Sequence, residues 1–203
     1  MRLLTMMPGA FVLAVILTAC TDTPNDPVDP ADVDFIMITP YAAIAEMGPI
    51  NEAFSATASS PWGFAHGGID FFVQGSSAVF RAVVSGTITR LELSQLEVTG
   101  NWQVQVTLAY NSTFEVFYTF EPMTTSPVDG TDQLAAIVVS QGQSVAQGDA
   151  LGSLLMRGEG THVDFGVVAN GSWVCPSPYF TADAQQEILG LLQAVWPGAQ
   201  LCY

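Results

Sequence analysis

Alternating apolar and polar residues mark the chain after residue 60, and the clearest case is Trp102–Tyr110. Every second residue of this segment is apolar, so one face of a strand would be buried while the other faces solvent. Asn111 and Ser112 then provide a turn into a second segment, Thr113–Phe120. Together the two segments predict a β-hairpin with one buried face.

β-branched and aromatic residues between Gly, Asn and Ser turns predict further strands. Glu121–Leu134 is rich in Pro, Thr, Asp and Gly and predicts a loop, and Pro176 and Pro178 end the run of strands. The pattern therefore predicts a mostly β domain. The remaining strands are predicted at Ile69–Val73, Val79–Val84, Gly86–Leu93, Ala136–Ser140, Ser144–Val145, Leu151–Met156 and His162–Val168.

A helical period follows the last strand. Thr181 is a suitable N-cap for a helix that runs through Trp196 and ends at Pro197 and Gly198. One stripe of this helix is apolar, which favours packing against the domain over a binding groove. The stripe consists of Ile188, Leu191, Leu192 and Val195.

The chain before residue 62 is predicted to lie outside the β domain, which spans residues 62–180 and is followed by the helix and tail over residues 181–203. Residues 1–19 begin with Arg2 and contain an apolar run too short to span a membrane, which is typical of an export signal. Residues 20–34 are acidic and proline-rich and predict a tether. Residues 35–61 have no clean period and predict a lead-in segment over one end of the domain, with a short helical turn at Ala42–Met47.

Leu17-Thr-Ala-Cys20, at the end of the export signal, resembles a bacterial lipobox. The resemblance implies cleavage before Cys20 and a lipid on its sulfur, so that the protein contacts the membrane through its N-terminal lipid only. Thr21 after the cysteine favours the periplasmic face of the outer membrane, by analogy with enteric sorting rules. An uncleaved anchor or a plain secretory signal is the alternative.

Charge and cysteine content narrow the class of protein further. The formal net charge is −15, and the chain contains no lysine, which disfavours nucleic acid as a partner because no basic patch could neutralise phosphates. With Cys20 assigned to lipid, Cys175 and Cys202 remain, and two such cysteines in an exported protein predict a disulfide. Metal ligation is the alternative, but two thiolates far from any histidine make a poor ligand set.

The two histidines of the chain each lie near an aspartate. In His66-Gly-Gly-Ile-Asp70 the two side chains converge if the chain turns at the glycines and enters a strand. In His162-Val-Asp164 the two side chains share one face of a strand. If the strands lie side by side, all four groups form one pocket with the ligand types of a metal site. The alternative is that each histidine is a solvated or hydrogen-bonded side chain.

These boxes resemble those of the lysostaphin-type (LytM-like) zinc endopeptidases, which cut peptide cross-bridges in bacterial peptidoglycan. The glycine-spaced segments Gly75–Ile88 and Ser140–Gly152 and the closing Asn170–Phe180 are also similar to that family. The resemblance implies an antiparallel β-sheet sandwich or barrel-sandwich-like core with one C-terminal helix. Biotin and lipoyl carriers share the glycine-spaced turns, but they need a lysine to modify.

The resemblance also implies roles for individual residues. His66, Asp70 and Asp164 would bind zinc and leave a fourth position for water. His162 would act as the general base, and Tyr118 would help to orient the water.

Two positions depart from the family pattern. Asp164 stands where a second imidazole ligand is expected, so the metal would acidify its water less. Phe120 stands where the family's Tyr-x-His segment has its histidine, and it cannot accept a proton. Glu115 and Glu121 lie nearby in the sequence, which alone assigns neither to the site.

Two functions therefore stay open. The first is a lipid-anchored zinc endopeptidase that hydrolyses peptidoglycan cross-links in the bacterial cell envelope. The second is a degenerate domain that binds peptidoglycan or regulates another envelope protein, such as a hydrolase. Core packing is the favoured interpretation for each of Trp62, Trp102 and Trp173, and lining of a substrate groove is the alternative.

Overall fold

The computed structural model describes residues 28–29, 32–40 and 47–203. The expected export signal, the lipidation site at Cys20, most of the acidic tether and residues 42–46 of the expected helical turn lie outside this part of the chain. Within it, no helix has both the length and the hydropathy needed to cross a membrane.

Nine strands and two α-helices form the described part of the chain. They are β1 (Gly68–Phe72), β2 (Ser77–Arg81), β3 (Gly86–Gln95), β4 (Trp102–Ala109), β5 (Phe114–Glu121), α1 (Pro127–Ala135), β6 (Ser144–Val145), β7 (Ala150–Leu155), β8 (His162–Ala169), β9 (Ser172–Val174) and α2 (Ala182–Gln193).

Seven of the strands form one curled antiparallel sheet. Six of them lie in the order β1-β8-β5-β4-β3-β6, and β9 is the seventh. β9 pairs with the last residues of β8, beyond the part of β8 that pairs with β1. β2 and β7 form a separate antiparallel pair. The prediction of a mostly β fold with one C-terminal helix is confirmed.

Strand alternation separates the core from the site-bearing face of the sheet. β5 alternates buried and partly exposed residues along its whole length. Val163 and Phe165 of β8 are fully buried on the same face as Tyr118 and Phe120 of β5. The alternate residues of β8, which include His162 and Asp164, point to the opposite face of the sheet.

The C-terminal helix begins where the sequence predicted. Thr181 caps α2 by accepting a hydrogen bond from the Ala184 N–H, and Ile188 and Leu192 are fully buried against the domain. The apolar stripe is therefore a packing face. α2 ends at Gln193, earlier than the predicted end at Trp196.

Two local predictions are wrong. The second half of the predicted loop Glu121–Leu134 forms most of α1, in which Ser126 accepts a hydrogen bond from the Asp129 N–H and Pro127 lies in the first turn, where a missing N–H has no helical partner to lose. The predicted strand Ala136–Ser140 contributes a single bridge, from Ile137. Ser, Pro and Asp residues occur in loops and also at the starts of helices, and Ser126, Pro127 and Asp129 start α1.

Residues 47–55 cover the outer edge of β1. Ser55 and His66 exchange two backbone hydrogen bonds, and the Asp70 N–H donates to the Glu52 carbonyl oxygen. The lead-in segment therefore lies beside the residues of the first histidine box.

The predicted disulfide between Cys175 and Cys202 is confirmed. Cys175 directly follows β9, while the tail around Cys202 pairs with Phe54 of the lead-in segment. The disulfide therefore joins β9 to the tail and, through the tail, to the lead-in segment.

Candidate metal centre

The register of three neighbouring strands gathers the candidate residues on one face of the sheet. β1 and β8 pair with Asp70 directly opposite Asp164. His162 lies two residues before Asp164 on β8 and so faces the same way. β5 pairs with the other side of β8 and sets Glu121 directly opposite His162. Both boxes and one further carboxylate therefore share a single face.

His66 approaches these residues from the segment just before β1. Its Nε2 lies 3.4 Å from Asp70 Oδ1 and 4.0 Å from Asp164 Oδ1. Its Nδ1 lies 3.0 Å from the Gly68 carbonyl oxygen. Because a carbonyl oxygen only accepts, Nδ1 carries a hydrogen, and Nε2 is the nitrogen that faces the two carboxylates.

The three side chains fit a metal ion by geometry and by chemistry. The nearest donor atoms of His66, Asp70 and Asp164 all lie within 4.8 Å of one another. Ligand atoms around a tetrahedral zinc ion with bonds of about 2.1 Å are about 3.4 Å apart, so a small inward movement completes the set. Asp70 Oδ1 and Asp164 Oδ1 are buried and accept no hydrogen bond from the described residues. A cation bound between them would satisfy both oxygens.

Gly68 makes room for the Asp164 carboxylate. A Cβ atom at this position would lie 2.2 Å from Asp164 Oδ1 and 2.5 Å from the Phe165 carbonyl oxygen. The second glycine of the His66 box therefore has a steric function.

The closely spaced carboxylates raise the pKa values of residues in the cluster. Burial opposes the charged form of His66, but Asp70 and Asp164 outweigh it and raise the His66 pKa to about 9. Burial first, and then repulsion from Asp70, raises the Asp164 pKa to about 7. Metal binding would release these protons, since the ligands must be deprotonated.

His162 lies beside the three candidate ligands. Its Nδ1 donates to the Gly160 carbonyl oxygen at 2.7 Å, and its Nε2 lies 3.8 Å from Asp70 Oδ2 and 3.9 Å from Glu121 Oε1. The Phe72 ring packs along the imidazole with centroids 5.1 Å apart. Burial lowers the His162 pKa, but the attraction of Asp70 and Glu121 outweighs burial, so the pKa is raised. The arrangement leaves Nε2 as the atom that can take up a proton.

Tyr118 is not brought to the site, and the expectation that it orients a water molecule there is wrong. It lies on the core face of β5, is fully buried, and its hydroxyl accepts a hydrogen bond from the Val83 N–H at 2.9 Å. Burial raises its pKa far above that of a free tyrosine. Phe120, two residues on, is buried on the same core face.

Glu121 instead faces the site from β5. The resemblance to the LytM-like peptidases put Phe120 at the position of their histidine, but strand parity places Phe120 in the core. The signal that identifies Glu121 is the alternation of β5, because residues 117, 119 and 121 fall on the face opposite the buried ones. Burial raises its pKa.

Glu52 adds a fourth carboxylate from the lead-in segment. Its backbone carbonyl oxygen accepts a hydrogen bond from the Asp70 N–H, which sets Glu52 beside Asp70. Burial raises the pKa of Glu52, and repulsion from Asp70 raises it further. No motif in the sequence indicates this residue, because it reaches the site only through the pairing of the lead-in segment with β1.

A pocket of about 520 Å³ opens beside the candidate metal centre. Trp173 of β9 forms one wall of the pocket and is 52% exposed. Of the other two tryptophans considered for a groove, Trp62 packs against Tyr203 and Trp102 against Gly130 of α1. The pocket is lined by Phe54, Ser55, Ala56, Ala65, His66, Gly67, Asp164 and Trp173.

No protein-family model matches the sequence, and no curated protein matches it either. Solved structures do resemble the fold. Two crystal forms of Helicobacter pylori Csd3, hexagonal and orthorhombic, match with TM-scores of 0.50 and 0.52 at 16% identity, over 78% of this chain. The chain spans only 38% and 40% of the length of those Csd3 chains.

A mutant catalytic domain of the prophage-encoded M23 protein EnpA from Enterococcus faecalis is also similar. It matches at a TM-score of 0.44 and 16% identity, over 64% of this chain and 88% of that chain. The likeness to Csd3 shows a shared fold.

Proposed function

We propose that this domain is a zinc-dependent endopeptidase that hydrolyses cross-link peptides of peptidoglycan, carried by a lipoprotein of the bacterial cell envelope. The observation that carries the proposal is the position of two buried carboxylate oxygens, which accept no hydrogen bond from the described residues, around His66 Nε2, with a second histidine alongside. The resemblance of both histidine boxes to the LytM-like peptidases supports the substrate.

The proposed reaction uses the residues on one face of the sheet. Bound zinc would supply a polarised carbonyl and a more acidic water molecule. His162 Nε2 accepts a proton from the attacking water as the water oxygen adds to the peptide carbonyl carbon. The C–N bond then breaks, and His162 returns the proton to the departing amine. The Glu121 carboxylate, 3.9 Å from Nε2, stabilises the imidazolium between these two transfers.

Asp164 makes this site more anionic than one with two imidazole ligands. A second carboxylate donates more charge to the metal, so water is acidified less than it would be by a His, His, Asp set. The reaction consequently depends more heavily on His162 and Glu121 for proton transfer.

The test is zinc analysis of the purified protein together with release of new amino groups from purified peptidoglycan. We expect about one zinc per chain and measurable release, loss of both in Asp164→Ala, and retention of zinc in Asp164→His. His162→Gln should keep zinc and lose release, because it removes the base and not a ligand. A wild-type protein with neither zinc nor release would refute the enzyme.

A second function, that of a peptidoglycan-binding or hydrolase-regulating module, is favoured by one observation. Asp164 and the core-facing Phe120 occupy two positions where the resembled family has histidines. Such a module would bind isolated sacculi without releasing peptide. Loss of sacculus binding in Trp173→Ala, combined with absent peptide release by the wild type, would select this function over the first.

A further inference from the structure

We infer that the pocket beside the candidate metal centre selects peptides that carry an ammonium group, and that Trp173 is the residue that selects them. The inference rests on the proposed endopeptidase function and narrows its substrates. It is carried by the charge around the pocket and by the position of one exposed aromatic ring.

The site stays negative after a metal binds. Asp70, Asp164 and Glu121 contribute three carboxylates to one face of the sheet, and Glu52, hydrogen-bonded through its backbone to Asp70, adds a fourth at the edge. With all four ionised, one dication and one protonated imidazole leave a formal charge of about −1. A ligand carboxylate that entered the pocket would be repelled, whereas an ammonium group would be attracted.

None of the arginines in the described part of the chain is available to reverse this charge. Arg81 donates to a backbone carbonyl, Arg90 pairs with Glu92, and Arg157 pairs with Asp129 of α1. The sequence contains no lysine. The described residues that line the pocket therefore include no arginine or lysine, the side chains that commonly bind ligand carboxylates.

Trp173 is held as a platform at the pocket wall. A Cβ atom at Gly166 would lie 2.4 Å from its ring, and one at Gly67 would lie 3.3 Å from it, so the indole packs directly on the bare backbone of β8 and of the segment just before β1. The Phe117 ring supports it from the side, with centroids 5.2 Å apart. About half of the tryptophan stays exposed, and it lines the same pocket as Asp164.

An indole face and a carboxylate in one pocket are complementary to an ammonium group. The ring attracts the cation through its quadrupole, and tryptophan is the best of the aromatic residues for this contact. The carboxylates add long-range attraction that salt weakens. A neutral side chain would gain only the apolar contact with the ring. An acidic side chain would be repelled both by the face of the ring and by the carboxylates.

The experiment compares three blocked tetrapeptides, acetyl-Ala-Ala-Xaa-Ala-amide with Xaa as lysine, methionine or glutamate. Affinity for the zinc-loaded protein is measured by calorimetry at low and high salt. We expect the lysine peptide to bind about tenfold more tightly than the methionine peptide, and the glutamate peptide to bind most weakly. The lysine preference should shrink in high salt.

Variants separate the contribution of the Trp173 ring to peptide affinity from that of the surrounding negative charge. Trp173→Leu should reduce the lysine preference to about twofold and Trp173→Phe should retain part of it, because phenylalanine keeps a weaker quadrupole. Glu52→Gln should weaken the lysine peptide selectively by removing one charge. Glu97→Gln, on the exposed turn between β3 and β4, is the matched charge control and should bind like the wild type. Zinc content is measured in every variant.

The outcomes test the ammonium-selective pocket separately from the proposed endopeptidase function. Equal affinity for the three peptides in a protein that binds zinc and cleaves peptidoglycan would overturn the inference alone. Trp173→Leu weakening all three peptides equally would also overturn it, since the ring would then be only an apolar wall. A lysine preference in a protein without zinc or cleavage would support the selective pocket and refute the endopeptidase.

Discussion

His162 and Glu121 face each other across the β5–β8 pair, with the imidazole Nε2 3.9 Å from the carboxylate Oε1. The pair lies beside the three candidate metal ligands and not among them. This position suits a base and its charge partner, because an imidazole that takes up a proton is stabilised by an adjacent carboxylate.

Replacing Glu121 by glutamine should lower kcat for peptide release by about tenfold to a hundredfold and leave the zinc content unchanged. The amide keeps the shape of the side chain but no longer stabilises the imidazolium. Glu115→Gln is the control, since Glu115 lies on the same face of β5 but pairs with Val168. Equal losses in the two variants, or zinc loss in Glu121→Gln, would rule out this role.

Replacing Gly68 by alanine should lower the free energy of unfolding by about 2–3 kcal/mol and weaken zinc binding. The added methyl group would meet Asp164 Oδ1 and the Phe165 backbone, and the backbone of a central strand cannot retreat. Gly190→Ala in α2 is the matched control. No atom lies near the methyl group there, so helix propensity should raise stability by about 0.5–1 kcal/mol. Urea unfolding of both variants tests the contrast, and a harmless Gly68→Ala would contradict the packing described above.

The metal-free protein should lose stability as pH rises. His66 has its pKa raised from 6.5 to about 9, so its contribution is fully present below pH 6.5 and is lost as pH rises through 9. Asp164 has its pKa raised from 3.8 to about 7, so ionisation in the folded state becomes a penalty that grows over that interval. In both cases the folded state binds more protons than the unfolded chain, which makes the slope negative.

Urea unfolding in a chelator at pH 5, 7 and 9 measures this slope. Saturating zinc provides the comparison, because the metal requires the deprotonated ligands and should flatten or reverse the trend. A free energy of unfolding that rises with pH in the metal-free protein would contradict the proton-holding cluster.

Removing the disulfide should lower the free energy of unfolding by about 2–4 kcal/mol and loosen the pocket. Cys175 and Cys202, separated by 27 residues, connect the β9 wall to the tail that pairs with the lead-in segment. Cys175→Ser with Cys202→Ser should therefore weaken sacculus or peptide binding. Zinc should be retained, since strand pairing between β1 and β8 holds the ligands.

Reducing agent provides the internal control for the disulfide. It should shift the wild type to the behaviour of the double variant and leave the double variant unchanged. Unaltered ligand binding after reduction would show that the two pocket walls hold their positions without the covalent link.

Local sequence patterns predicted most of the secondary structure. The period of two in Trp102–Tyr110 identified β4, and Thr181 followed by an apolar stripe identified α2, because both signals depend on neighbouring residues only. The helix α1 was missed since Ser126 and Pro127 start helices as readily as they form turns. β9 is only three residues long, too short for a periodic signal.

The sequence by itself determined which ligand types the site could contain and how they are spaced along the chain. His66 with Asp70 and His162 with Asp164 need only a turn and a strand to converge in pairs. The disulfide followed from counting cysteines in a chain with an expected export signal.

The tertiary structure decided which groups meet. The β1–β8 register placed Asp70 against Asp164, and core packing chose the face of β5 that carries Glu121 and buried the face with Tyr118. Pairing of the lead-in segment with β1 brought in Glu52. Alternation along a strand is a local property, but which face is buried and which strand lies alongside depend on contacts between residues far apart in the sequence.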